Sequence, residues 1–555
     1  MPADCRAYAA DALHAGPSDA GADADARRVV LVASVLGSSA AFVLSSVVNV
    51  ALPAIQADLG ATAATMQWVL NAYLLPLAAF ILVGGALGDR LGRTRTFAWG
   101  LAVVAGATVG CAVAPTAGWL VAARVVQGVG AALLVPGSLA LLRAFFPPEE
   151  RGRAIGTWAG AAALTSAAGP LLGGVLVDTV GWRWVFVAVV PLAVAGWALA
   201  VWRVPESRAE DAGGGLDWTG AALAVVGLGA LVFGLIRQGE AGWSAPAVWG
   251  SVAAGAALLA GFVAWERRAE HPMVPPGLFR SAAFSGANAL TVFLYVALGG
   301  LSFLLPYLLI GVHGYSATEA GAAFLPFTLL MGGLSRWVGG HIDRFGARRM
   351  LTVGPALAAA GLALFALPGT DGPYWTTFLA PMAVLGLGMA IAVAPLTTVV
   401  MDAVADDQAG TASGVNNAAS RLAQLLAVTV LGALAFGVYG SGLDRQLDAR
   451  GLSDGAVSAV EAARRAPGAR PDLAALAPAE QRAVREVTGG AFVAGFRWAV
   501  GLSALLAVAA AGVAWTVLPP DGAPSDGRAR GDDGSSANGL AEAVDRSAPA
   551  GGADP

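Results

Sequence analysis

Gly85-Ala-Leu-Gly-Asp89-Arg90-Leu-Gly-Arg93-Thr-Arg95 joins two long apolar runs, and Gly340-His-Ile-Asp343-Arg344-Phe-Gly346-Ala-Arg348-Arg349 repeats its pattern of glycine, acid and arginine. The two Asp stand 254 residues apart. On either side of each loop the charges disappear. Nearly uncharged runs of about 18–25 residues, the length needed to cross a hydrocarbon core of about 30 Å, recur fourteen times: 29–50, 66–87, 97–114, 118–142, 154–177, 183–203, 218–236, 247–265, 285–310, 319–341, 351–367, 376–401, 411–436 and 491–517. Lipid offers a backbone no hydrogen-bond partners, so spanning segments are helices or a closed barrel. These runs lack the alternation of barrel strands. They predict an all-α integral membrane protein with fourteen transmembrane helices. Spans one to six and the next two together occupy 29–280, which is 252 residues and nearly the offset between the loops. The chain therefore reads as a six-helix half (29–204), an inserted helix pair (205–280) and a second six-helix half (281–518), a parallel-repeat transporter design.

Composition excludes other classes. Charged residues make up 13% of the chain, against about 25% in a soluble domain. All 33 basic residues are Arg. Without Lys there is no phosphate-cradling P-loop and no Schiff-base chemistry. Cys5 and Cys111 are unsuited to pairing, and His14, His271, His313 and His341 lack metal-ligand spacing. No metal, cofactor, nucleic acid or catalytic cluster is expected. Residues 1–28 carry five Asp and three Arg, the wrong charge for a signal peptide. They and 519–555 read as disordered tails.

Arginine placement gives the orientation. With the N-terminus in the cytoplasm, the short inner loops hold fourteen Arg and the short outer loops two, Arg183 and Arg237. Both termini are then cytoplasmic, in a bacterial inner (plasma) membrane, and a monomer is the expected state. The 440–490 segment falls outside as a solvated loop, with Asp454–Ala466 and Pro478–Val487 as candidate surface helices.

Several side chains stand out against the apolar background. Asp89, Arg90 and Arg93 read as a latch between the halves, or as a solvated topogenic loop. Arg124 and Gln127 share a face of span four, and an arginine within a span marks a functional site unless it snorkels to the surface. In span five Ala161, Thr165, Gly169 and Gly173 form a small-residue ridge interrupted by Pro170, which bends a helix. Arg421, Asn416 and Gln424 form a second polar cluster in span thirteen. Asn49, Asn71, Tyr73, Asn288 and Tyr295 are further substrate-binding candidates, each also readable as a helix–helix hydrogen bond. A mainly apolar cavity with a few polar groups suits an amphiphilic small molecule.

These residues together resemble the major facilitator superfamily, in its fourteen-spanner drug:proton antiporter family of the multidrug resistance efflux type. The resemblance covers about 29–518. It rests on the Gly85–Arg95 loop, on Leu120–Ala132, and on Gly156 with Gly169-Pro170-Leu-Leu-Gly173-Gly174. Val48-Asn49-Val-Ala-Leu-Pro53, Gln67-Trp68, Ala72-Tyr73, Phe146–Gly156 and Gly181–Phe186 add to it. It implies substrate export in exchange for entering protons by rocking of the two halves, with Arg124 as the coupling arginine and Asp89, Arg90, Arg93, Gly169, Pro170 and Asp343 in coupling or gating. Two positions depart from the family pattern. Leu44 stands where an acid is usual, and Val189 where Asn is common. Span one thus lacks a titratable group, and a facilitator or otherwise-coupled transporter is the alternative. A receptor or scaffold would need a folded signalling domain, and no extramembrane segment exceeds about 50 residues.

Overall fold

The computed structural model describes residues 17–208, 217–242, 244–404, 408–450, 452–467 and 473–520. Most of both expected tails lies outside these. The described residues form helices and connecting turns without strands. The spans are α1 (Pro17–Leu59), α2 (Ala63–Leu91), α3 (Arg93–Ala112), α4 (Ala117–Phe145), α5 (Pro148–Thr179), α6 (Val190–Arg203), α7 (Trp218–Ala241) and α8 (Pro246–Glu266). They continue as α9 (Ala282–Tyr307), α10 in two pieces (Ala317–Ala322 and Leu325–Gly339), α11 (Ala347–Leu364), α12 (Leu379–Asp402), α13 (Ala409–Leu426, continuing as Gly432–Arg450) and α14 (Pro478–Val517).

Among the described residues thirteen spans are long and apolar enough to cross a membrane. The fourteenth, α11, is 18 residues long and opens on Arg348 and Arg349, which lower its mean hydropathy. It is nonetheless packed between α12 and α14. Helix α1 begins at Pro17, within the segment read as a tail.

The repeat predicted from the two loops extends to helix ends. Thr62 caps α2 by accepting from the Thr65 N–H, and Ser316 caps α10 by accepting from the Glu319 N–H. Gly92 follows α2 with φ 114°, and Gly346 precedes α11 with φ 82°. Both pairs stand 254 residues apart, the offset of the loop aspartates. Only glycine adopts such angles freely, so a sharp reversal is built into the same place twice. Packing repeats as well. The pairs α2–α4, α3–α4, α1–α5, α1–α6 and α3–α6 have counterparts in α10–α12, α11–α12, α9–α13, α9–α14 and α11–α14.

Small residues let these helices touch. A Cβ at Gly84 would strike the Ala132 carbonyl across the α2–α4 contact. Gly84→Ala is therefore expected to cost about 1–3 kcal/mol through overpacking, measured as lost thermal stability in detergent. An unchanged melting temperature would show that α2 can shift away from α4.

The α7–α8 pair packs mainly on itself, and α7 also touches α2 and α13. Large apolar side chains such as Trp202, Leu505 and Trp498 are exposed around the bundle, as a lipid-facing surface requires.

The 440–490 region differs from the solvated loop expected of it. Helix α13 continues to Arg450, a short helix fills Asp454–Arg465, and α14 starts at Pro478. Val460, Leu473, Val484 and Val487 are buried together. The Tyr439 hydroxyl donates to the Ala463 carbonyl at 3.1 Å, and Arg450 pairs with Glu486 at 3.0 Å. The segment is a small helical cap with its own apolar centre.

Candidate functional site

A cavity of about 380 Å³ lies between the halves, walled by α1, α2, α4 and α5 on one side and α9, α10, α12 and α13 on the other. Of the residues singled out from the sequence, Asn49, Tyr73, Arg124, Pro170, Tyr295, Arg421 and Gln424 line it. Phe42, Phe327, Met331 and Met389 give it an apolar, partly aromatic lining. No carboxylate lines it among the described residues.

Arg124 is 1% exposed and does not snorkel. Its Nε donates to the Val69 carbonyl at 3.0 Å, and Nη1 donates to Gln127 Oε1 at 2.6 Å and to the Leu44 carbonyl at 3.5 Å. Its guanidinium lies 4.3 Å from the centre of the Tyr73 ring, a cation–π distance. Gln127 in turn donates to Thr108 Oγ1 at 2.7 Å. One arginine thus ties α4 to α1, α2 and, through Gln127, α3. Arg421, from the other half, donates to Gln424 Oε1 at 3.2 Å and stands 5.4 Å from the Phe42 ring centre. Among the described residues neither arginine pairs with a carboxylate.

Four predicted polar groups turn away from the cavity. Asn71 donates to Thr429 Oγ1 at 2.9 Å, across to α13. Gln127 is taken up by Arg124 and Thr108. Asn288 and Asn416 bond each other at 3.2 Å, and Asn416 also donates to Thr291 Oγ1 at 2.8 Å. Their amides join helices. A π turn in α13, Ala427–Leu431, leaves the Val428 carbonyl available to Gln67 Nε2 at 3.1 Å. Gln67 and Asn71 together fasten α2 to the opposite half.

The span-five ridge packs on α1. Thr165 donates to Ser39 Oγ at 3.2 Å, Gly169 sits against Ser46, and a Cβ at Gly173 would come within 2.6 Å of Val47 Cγ2. On the adjoining face, Gly174 meets the Ala317 carbonyl and Gly321 meets that of Pro170. The Asp178 carboxylate accepts from the Ala317 and Thr318 N–H groups at 3.1 and 2.7 Å, capping α10 from the other half. Gly156 lies on the Gly174 face, five turns away, and a Cβ there would meet nothing within 4 Å. Gly332, about three turns beyond Gly321, also faces open space. Along α5 and α10 the halves therefore close over the cavity at the Asp178 end and part toward the Gly156 end, while α2 and α13 stay in contact toward that end, where a Cβ at Gly414 would meet Leu82 Cδ2 at 2.9 Å.

At that parted end Asp89 and Arg93 pair with each other at 2.8 Å. Arg90 is half-buried in the last turn of α2. The Asp343 side chain lies outside what the structure describes. Glu206 accepts from the Thr94 and Arg95 N–H groups at 3.0 and 3.2 Å. The loop is thus anchored by Glu206, just past the end of α6, a residue with no signal in the sequence.

The sequence model of the Major Facilitator Superfamily matches residues 34–428. The chain belongs to that superfamily. It is a multi-pass membrane transporter, as members of the family are, and not an enzyme. The transporter is 35% identical over 474 residues to the tetracenomycin C resistance and export protein of Streptomyces glaucescens, covering 85% of this chain and 88% of that one. It is 36% identical over 438 residues to a probable actinorhodin transporter of Streptomyces coelicolor, covering 76% and 75%. The solved structure of a bacterial homolog to the human lysosomal transporter Spinster shares its fold, with a TM-score of 0.61 at 18% identity, over 88% of this chain and 96% of that one.

Phe42, Phe327, Met331 and Met389 were not legible as site residues. A single aromatic or Met in an apolar run carries no local signal of the face it presents.

Proposed function

We propose that the transporter exports small amphiphilic, drug-like or natural-product-like molecules by alternating access, as a monomer in a bacterial plasma membrane with both termini cytoplasmic. The observation that carries this is the cavity between two repeated halves, with α5 and α10 in contact at one end and parted at the other. The tetracenomycin C resistance and export protein at 35% identity and the probable actinorhodin transporter at 36% supply the substrate class. The arginine asymmetry puts the Gly156 end in the cytoplasm, so this state loads from inside, as an exporter must. In this reading Asn49, Tyr73, Tyr295, Arg421 and Gln424 contact substrate, Arg124 couples, and Asp178 with Gly174 and Gly321 forms the outer gate.

Protons are the coupling ion that the family resemblance implies. A specific observation favours the second reading, in which span one carries no proton. Leu44 is wholly buried, and the described cavity wall holds no carboxylate to titrate. Proteoliposomes holding the full chain separate the two when a pH difference and an electrical potential are imposed independently. Proton exchange predicts that export follows the pH difference about tenfold per unit at equilibrium. Export indifferent to pH at fixed potential removes proton exchange and leaves the second reading.

A further inference from the structure

The cavity holds two cations and no described counter-charge. A buried guanidinium without a partner is costly. Arg124 is compensated by two carbonyls, an amide and the Tyr73 ring face. Arg421 is not. It is 8% exposed, and it has five N–H donors but one side-chain acceptor, Gln424 Oε1, beside the Phe42 ring. Both arginines border the same space, one from each half, and that space is walled by aromatic rings and Met.

We infer that the transported molecule is an organic anion, an apolar and partly aromatic body bearing one acidic group, and that Arg421 supplies its counter-charge. This rests on the export reading and narrows its substrate. The narrowing also answers the missing proton carrier. An anion leaving a cell that is negative inside moves down the electrical potential. One elementary charge through 100 mV is worth an outside-to-inside ratio of about 50-fold. No side chain has to titrate for such a transporter to do uphill work.

The test uses the full chain in proteoliposomes loaded with 8-anilinonaphthalene-1-sulfonate, permanently anionic near neutrality, or with ethidium as a cationic aromatic. The pH is equal on both sides, and a potassium–valinomycin potential, negative inside, is imposed. Sulfonate efflux is expected to rise with the potential toward the 50-fold ratio, while ethidium stays. Arg421→Gln should weaken sulfonate binding by about tenfold or more, the worth of a charge-assisted hydrogen bond. Arg421→Lys, which keeps the charge, should recover much of it and shows that the site still folds. Ethidium efflux, or sulfonate efflux that ignores the potential and Arg421→Gln, overturns the anion assignment while export stands. If neither dye moves under this potential, nor under a pH difference imposed in a separate run, the export reading fails with it.

Discussion

Arg124→Ala is expected to reduce export by roughly 100-fold, the equivalent of losing one or two charge-assisted hydrogen bonds worth about 1.5–3 kcal/mol each. The guanidinium is a junction of the first half, reaching carbonyls of α1 and α2, the Gln127 amide and the Tyr73 ring. Removing it leaves Gln127 Oε1 without its donor, leaves the Val69 carbonyl with its intrahelical bond alone, and opens space beneath Tyr73. That ring is a wall of the cavity, so its position should loosen with the arginine. Arg124→Lys keeps a charge but has no planar fork. It should satisfy at most part of this set and fall between wild type and Ala. Membrane insertion and monodispersity in detergent report folding separately. If Arg124→Ala folds and exports at the wild-type rate, the arginine is only a strut. If Ala and Lys variants both fail to fold, its role is structural before it is functional.

The membrane made most of the fold legible. A hydrocarbon layer about 30 Å thick demands apolar runs of one length, and the chain shows them as gaps between arginines. Spans such as Pro246–Glu266 lie within a residue of the predicted run 247–265. The Asp89 and Asp343 loops were legible as a repeat because two copies compare with each other, and the same offset then governs Thr62 and Ser316. The small-residue ridge of α5 was legible because its spacing is a helical period.

What a single sequence does not carry is the rotation of each helix against its neighbours. Asn71, Gln127, Asn288 and Asn416 had the same polar signal as Asn49 and Gln424. The first four are absorbed by Thr429, Thr108, Thr291 and one another. Only the second two reach the cavity. The π turn at Ala427–Leu431 adds a shift of register that no residue there announces. The helices at Asp454–Arg465 and from Pro478 were legible as candidates, but not that they pack into a cap, because the apolar surface they bury is presented by α13 and α14. Glu206 is close to Thr94 only once α6 has returned to the start of α3.

Gly174→Leu with Gly321→Leu is expected to hold the Asp178 end open and stop the transport cycle. These two glycines meet opposing carbonyls directly, each at the other's helix. A side chain at either must push α5 and α10 apart. Overpacking costs about 1–3 kcal/mol at each site, and the cost falls only on the state in which this end is shut. Two such costs shift the balance between states by roughly 100-fold or more. They also pull Asp178 away from the Ala317 and Thr318 N–H groups, so the cap that favours closure is lost with the contact. The state open toward Gly156 is the one destabilised, and the opposite state gains. Ser166 lines the cavity and provides the reporter. In a Cys5→Ser, Cys111→Ser background carrying Ser166→Cys, a membrane-impermeant maleimide applied from the Asp178 side should label the double leucine variant at least tenfold faster than its parent. Labelling from the Gly156 side should slow, and export should fall by about 100-fold. Asp178→Asn keeps the glycine contact and weakens only the cap, so it should shift labelling in the same direction by a few-fold. Unchanged labelling from both sides, with export intact, would mean that α5 and α10 do not form the gate.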